Sequence, residues 1–158
     1  MEVPSGSTIL LNGEGAAWRG LLAHGIGRYL GLPHSNGYRP SSNDPAGVGE
    51  VIRQAAIGDN MGWPIQYNLD AYNLHYNSYF KCYLNWIPKD DVIDAYEEEG
   101  IYRIYQHDDF AASGPRILAM HAENDTYYWI ELRQSINGIP YLENGVQVAR
   151  VKTTALRI

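Results

Sequence analysis

Residues 24–34 read His-Gly-Ile-Gly-Arg-Tyr-Leu-Gly-Leu-Pro-His. The imidazoles of His24 and His34 can ligate a metal or move a proton near neutral pH. Arg28 follows His24 by four residues, so on a helix the two share a face. A guanidinium has no lone pair to give a metal and stays charged, so Arg28 suits an anion or a carboxylate. Asp59 is a candidate carboxylate partner for it. Two readings are open. In one, the histidines are residual metal ligands, or His24, His34, Arg28 and Asp59 carry a metal-independent hydrolysis. In the other, the histidines are hydrogen-bonded and idle, and Arg28 forms a structural ion pair.

Other chemistry-bearing residues point to bland roles. Asp90-Asp91 and Asp108-Asp109 could be calcium ligands or paired carboxylates, but neither follows a calcium-loop pattern, and surface charge accounts for both. Trp18, Trp63, Trp86 and Trp129, with the tyrosines, could form a sugar-stacking platform. At helix and strand spacing, aromatic residues are more often core. Cys82 is the one cysteine, which excludes an internal disulfide and a thiolate cluster, and reads as a buried residue.

The elements that must position these residues change character along the chain. Residues 7–11 read as a short strand. Residues 15–30 read as a helix with Ala17, Leu21, His24 and Arg28 on one face, ended by Gly31 as a left-handed cap and kept closed by Pro33. Residues 33–64 are loop-like. Residues 68–86 read as a second helix with Leu74, Tyr76 or Asn77, the Lys81 stem and Leu84 turned inward. From residue 87 the period is two, with candidate strands at 101–106, 116–121, 127–133 and 146–151 and turn signals at Asn137-Gly138 and Asn144-Gly145. The fold class is α+β, divided at residue 87: a helical region over 1–87 and a small antiparallel β subdomain over 88–158.

Composition agrees with that division. Of 158 residues only 19% are charged, and 13 tyrosines and 16 glycines fill the deficit, which suits strands and turns better than long surface helices. The net charge of -6 without any Lys/Arg run argues against nucleic acid as a partner. No apolar run approaches the ~18 residues of a membrane span, and no signal peptide is visible, so the expected setting is soluble and cytoplasmic.

The 24–34 segment resembles the extended zinc motif of the metzincins, HExxHxxGxxH. His24 matches the first ligand, Gly31 the turn glycine and His34 the third ligand. Gly25 stands where the catalytic glutamate belongs and Arg28 where the second histidine belongs. Residues 58–62, Gly-Asp-Asn-Met-Gly, resemble the Met-turn. Residues 79–87, 127–133 and 145–151 resemble the later segments of the gametolysin-like group.

The resemblance implies a metzincin catalytic remnant over 1–87, with active-site helix, Met-turn and second helix. It also implies a zinc site that is broken and empty, so no cofactor is expected. The function expected is that of a pseudo-peptidase that binds peptide or protein. A hydrolase of a glycoside, ester or peptide is the alternative, and a carbohydrate ligand is a further possibility. Relatives of this kind are typically secreted. They build a sheet ahead of the helix, whereas only about 20 residues precede it here, so a homo-oligomer through residues 1–30 is expected.

Overall fold

The computed structural model of the chain describes residues 19–44, 47–56, 59–62, 75–95, 99–109, 111–122, 126–134 and 145–152. The chain forms two compact units. The first comprises residues 1–76 with 139–143, and the second 77–138 with 144–158. The architecture mixes helices and sheets, so the α+β class holds. The second helix lies in the second unit, on the other side of the division from where the sequence reading puts it. Residues 7–11 lie outside the described residues, as do the turn signals at 137–138 and Asn144.

In the first unit, α1 spans Arg19–Tyr29 and ends in a Schellman motif. Leu32 N–H donates to Gly27 O at 2.9 Å and Gly31 N–H to Arg28 O at 3.0 Å. Gly31 has φ +85°, a conformation that costs a residue with a Cβ about 1 kcal/mol or more. Leu32, the apolar residue just past the cap, is fully buried. Among the described residues of the 33–64 stretch, expected to be loop-like, there is a hairpin. Strand β1 (Gly37–Pro40) pairs antiparallel with β2 (Gly49–Ile52), from Gly37 opposite Ile52 to Pro40 opposite Gly49. Tyr38 Oη closes the hairpin on Gly47 O at 2.5 Å.

In the second unit, α2 spans Ser78–Tyr83 and so starts well inside the expected 68–86 helix, of which residues 68–74 lie outside the described residues. Asn77 is its N-cap, its side chain accepting from Phe80 N–H, and of the two residues before it His75 bridges to Asp59 and Tyr76 is not helical. Strands β3 (Val92–Asp94), β4 (Ile117–Ala122), β5 (Thr126–Arg133) and β6 (Gly145–Lys152) form one sheet in that order. The expectation of an antiparallel subdomain needs correction, because β3 runs parallel to β4. Residues 101–106 are not a strand. Gln106 alone bridges to Leu132, and Ile101 is fully exposed, so alternation there had no neighbouring strand to pair with.

One face of β5 presents Trp129, Glu131 and Arg133, all buried, and Tyr79 of α2 meets Trp129 edge-on at 5.4 Å. Glu131 is the hub of a buried polar cluster. Its Oε1 accepts from Arg133 Nε at 2.7 Å and Nη2 at 2.6 Å, and its Oε2 from Ser78 N–H at 2.6 Å. Lys81, expected to bury only its stem, is buried to 6% exposure. Arg116 pairs with Asp91 nearby.

This burial makes the second unit sensitive to alkaline pH. Desolvation pushes Lys81 down to about 8, against the pull of Glu131 and Asp108. Desolvation pushes Cys82 and Tyr79 up to about 12 each. Between about pH 8 and 10.5 the unfolded chain holds the Lys81 proton more often than the native one, so stability rises with pH, by roughly 1 kcal/mol between pH 8 and 9. Above about pH 9 the sign reverses for Cys82, and above 10 for Tyr79, because the unfolded chain sheds those protons first. Urea midpoints are expected to peak near pH 9 and fall by pH 11. In Cys82→Ala the rise should continue to about pH 10. A midpoint that falls steadily from pH 8 in both proteins would show that Lys81 is solvated.

Candidate functional site

Three segments of the first unit converge around His24. Helix α1 carries His24 and Arg28, the turn after Gly31 carries His34 and Ser35, and residues 59–62 form a tight turn beneath them. His24 is buried, and its Nδ1–H donates to Asn60 O at 2.8 Å, which leaves Nε2 with its lone pair. Three residues past Gly31, the chain has swung His34 back to His24, with ring centroids 5.2 Å apart and planes 31° apart.

The floor of the site is Met61, fully buried. A Cβ at Gly27 would collide with Met61 Sδ and lie 2.9 Å from Tyr76 Cε1, so only glycine lets α1 settle this closely on the methionine. Tyr76 Oη ties the same helix by donating to Ala23 O at 2.5 Å. Asp59 holds the turn: its Oδ1 accepts from Met61 N–H and its Oδ2 from Ser35 Oγ, both at 2.8 Å. Ser35 N–H donates to Met61 O at 2.8 Å, and Asn60 N–H to His75 O at 3.1 Å.

The proposed pairing of Arg28 with Asp59 gives way to a different arrangement. Arg28 Nη1 donates to Leu32 O at 2.7 Å, in the turn just past the C-terminal end of its own helix, while Asp59 serves Ser35 and Met61. A cation suits that helix end, where unsatisfied carbonyls gather. Gln54 is the residue that the sequence reading missed. Its backbone is left-handed, φ +55°, held by N–H donation to Asn36 Oδ1 at 2.8 Å. Its side-chain Nε2 sits 3.1 Å from His34 Nε2, which therefore accepts. Nothing in the composition of residues 53–54 signals this contact, since it depends on the unforeseen β1–β2 hairpin. The basicity of His34 is lowered, first by desolvation and then by Arg28, His24 and Arg53.

These donors do not fit zinc. His34 Nε2 is engaged by an amide, Arg28 brings a positive charge within the group, and Gly25 offers no base. Among the described residues no set of three His, Cys, Asp or Glu side chains converges as a metal site. Asp90-Asp91 and Asp108-Asp109 lie in the second unit, where Asp91 pairs with Arg116 and Asp108 Oδ1 accepts from Gln106 Nε2 at 2.9 Å. Among the described residues no helix is long and apolar enough to cross a membrane. Compared with protein-family models, curated proteins and solved structures, the chain matches none.

Proposed function

We propose that the first unit is a metzincin-derived pseudo-peptidase that binds peptide or protein where a zinc enzyme would cut it. The observation that carries this reading is the joint placement of four features of the motif. His34 returns to His24 through the Gly31 cap, and Met61 lies beneath them against Gly27. Arg28 and Gly25 occupy the remaining ligand and base positions. Without a general base, roughly 10²–10⁴-fold in rate is lost before the metal is considered. The engagement of Asp59 by Ser35 and Met61 favours a structural role for it over that of a hydrolytic base.

The deciding experiment is metal analysis of the purified chain, together with casein cleavage. The expected result is zinc far below one atom per chain and no cleavage above background. One zinc per chain, lost on His24→Ala, would overturn the reading.

Homo-oligomerisation is the second part of the proposal. Leu22, Ile26 and Tyr29 follow one another at four- and three-residue steps on α1, and each is more than a third exposed. Such a stripe on one helix face favours a partner. Sedimentation at micromolar concentration is expected to give a dimer or larger species, and Ile26→Glu to dissociate it. A monomer of 17.8 kDa in the unmodified protein would exclude the interface.

A further inference from the structure

We infer that the site around His34 is a receptor for a carboxylate, held by Arg28, Arg53, Gln54 and His34, and that it selects peptide ligands bearing a C-terminal carboxylate or an acidic side chain. This rests on the peptide-binding reading and adds the chemistry by which the ligand is chosen.

The argument begins with what the two guanidiniums leave unspent. Arg28 uses Nη1 on Leu32 O, which fixes the group beside the turn that leads to His34. A guanidinium carries five N–H donors in a rigid fork, so one bond leaves most of it available. Arg53 is exposed and adjoins Gln54, whose amide reaches His34 Nε2. Among the described residues the ion pairs are His107–Asp108, Arg116–Asp91 and Arg133–Glu131, all in the second unit. Neither Arg28 nor Arg53 has a carboxylate partner among them. His34 accepts at Nε2, so its other nitrogen, Nδ1, carries the proton and is a further donor. The Gln54 amide is bonded to His34, and Arg28 and Arg53 both lie close enough to His34 to lower its basicity, in a chain whose net charge is -6.

The alternative occupants are separable on physical grounds. A metal dication would meet two positive charges and a histidine whose Nε2 is already engaged. A phosphate dianion would gain from the guanidiniums, but it would also face the C-terminal end of α1. That end carries about half a negative charge, which opposes a dianion twice as strongly as a monoanion. Anion sites for phosphate commonly use the opposite helix end. A carboxylate carries one charge and matches the planar fork of an arginine.

The test is a titration of the full chain, followed by NMR of the arginine Nε–H and histidine ring signals. The probes are acetyl-trialanine with a free C-terminus, its C-terminal amide, acetyl-Ala-Asp-Ala-amide, sodium acetate and sodium phosphate. At least one of the two carboxylate-bearing peptides should bind tenfold or more tightly than the neutral amide, and which one does so identifies the carboxylate's source. Arg28→Gln and Arg53→Gln should each weaken that binding about tenfold. Urea midpoints unchanged from the unmodified protein would separate loss of binding in these variants from loss of the Arg28 contact with Leu32 O. Equal binding of neutral and carboxylate peptides, unaffected by Arg28→Gln, would overturn the carboxylate receptor and leave peptide binding standing. Binding of acetate without any peptide would overturn the peptide reading and leave the anion site. A preference for phosphate over every carboxylate would overturn the assignment of ligand class, and no binding by any probe would overturn both.

Discussion

Replacing Glu131 with alanine is expected to destabilise the second unit by about 3–5 kcal/mol, the cost of removing one partner from a buried charge pair. The carboxylate is 2% exposed and serves three donors at once: two nitrogens of Arg133 and the Ser78 amide. Alanine would leave the Arg133 guanidinium, itself 3% exposed, without this acceptor, and the Ser78 N–H without an acceptor inside the protein. Lys81 would lose the strongest of the negative charges that keep its ammonium tolerable. A domain is stable by only about 5–15 kcal/mol in all, so this one truncation could consume most of the margin. Glu131→Gln keeps an oxygen for Ser78 but not the charge, and its loss should be intermediate. Urea denaturation followed by tryptophan fluorescence measures both, since Trp129 lies on the same strand face. A loss under 1 kcal/mol in Glu131→Ala would mean that Arg133 and Lys81 reach water when the carboxylate is gone.

The double substitution Gly25→Glu with Arg28→His is expected to convert a chain that binds zinc no better than millimolar into one that binds it at micromolar concentration or tighter, a change of at least about 4 kcal/mol in binding free energy. His24 is already prepared for this role. Its Nδ1–H is held by Asn60 O, the kind of outer contact that fixes tautomer and ring direction in metal-binding histidines. His34 lies across from it at 5.2 Å, and a histidine at position 28 would supply the third ring one helical turn on. The carboxylate introduced at position 25 would stand ready to act on a metal-bound water, and the change also relieves the helix of a glycine. Two costs oppose the gain. The Leu32 carbonyl loses its Arg28 contact, and zinc must displace the Gln54 amide from His34 Nε2. Adding Gln54→Ala should therefore tighten binding further. Calorimetric titration with zinc decides the matter. A folded triple variant that takes up no metal would mean that the histidines do not stand as the resemblance implies. Peptidase activity is a separate question, because substrate binding needs more than the metal.

The parts of this fold that could be read from the sequence are those in which local chemistry and tertiary structure agree. Gly31 followed by Pro33 marks the end of α1, and the backbone there does adopt the left-handed cap. Strands β4, β5 and β6 fall within about a residue of the segments whose apolar residues alternate. The β1–β2 hairpin was not legible, since Gly-Tyr-Arg-Pro and Gly-Glu-Val-Ile carry neither alternation nor a two-residue turn. The three-residue β3 is too short to show a period, and its parallel direction depends on a distant strand. The buried cluster of the second unit escapes the sequence for a different reason. Charged residues in a strand suggest its solvated side, yet a period of two puts Glu131 and Arg133 on the same face as Trp129. An aromatic residue and two opposite charges on one face is the signal that was available. At the candidate site the sequence placed the histidines and the methionine together, but it could not anticipate that Arg28 would turn to a backbone carbonyl.

The parallel pairing of β3 with β4 also bears on the order in which the second unit assembles. Strands β4 and β5 are separated by three residues, so their ends meet at small entropic cost. Joining β3 to β4 requires residues 95–116 to cross over first, and the cost of closing a loop must be met before its contacts form. The β4–β5 ribbon is therefore the expected early structure on the folding path, with β3 arriving late. Destabilising changes in β3 should speed unfolding and leave the refolding rate nearly untouched, whereas changes in the β4–β5 ribbon should slow refolding. The ion pair between Arg116 and Asp91 joins the N-terminal ends of the two parallel strands, so it would act as a latch that slows the departure of the edge strand.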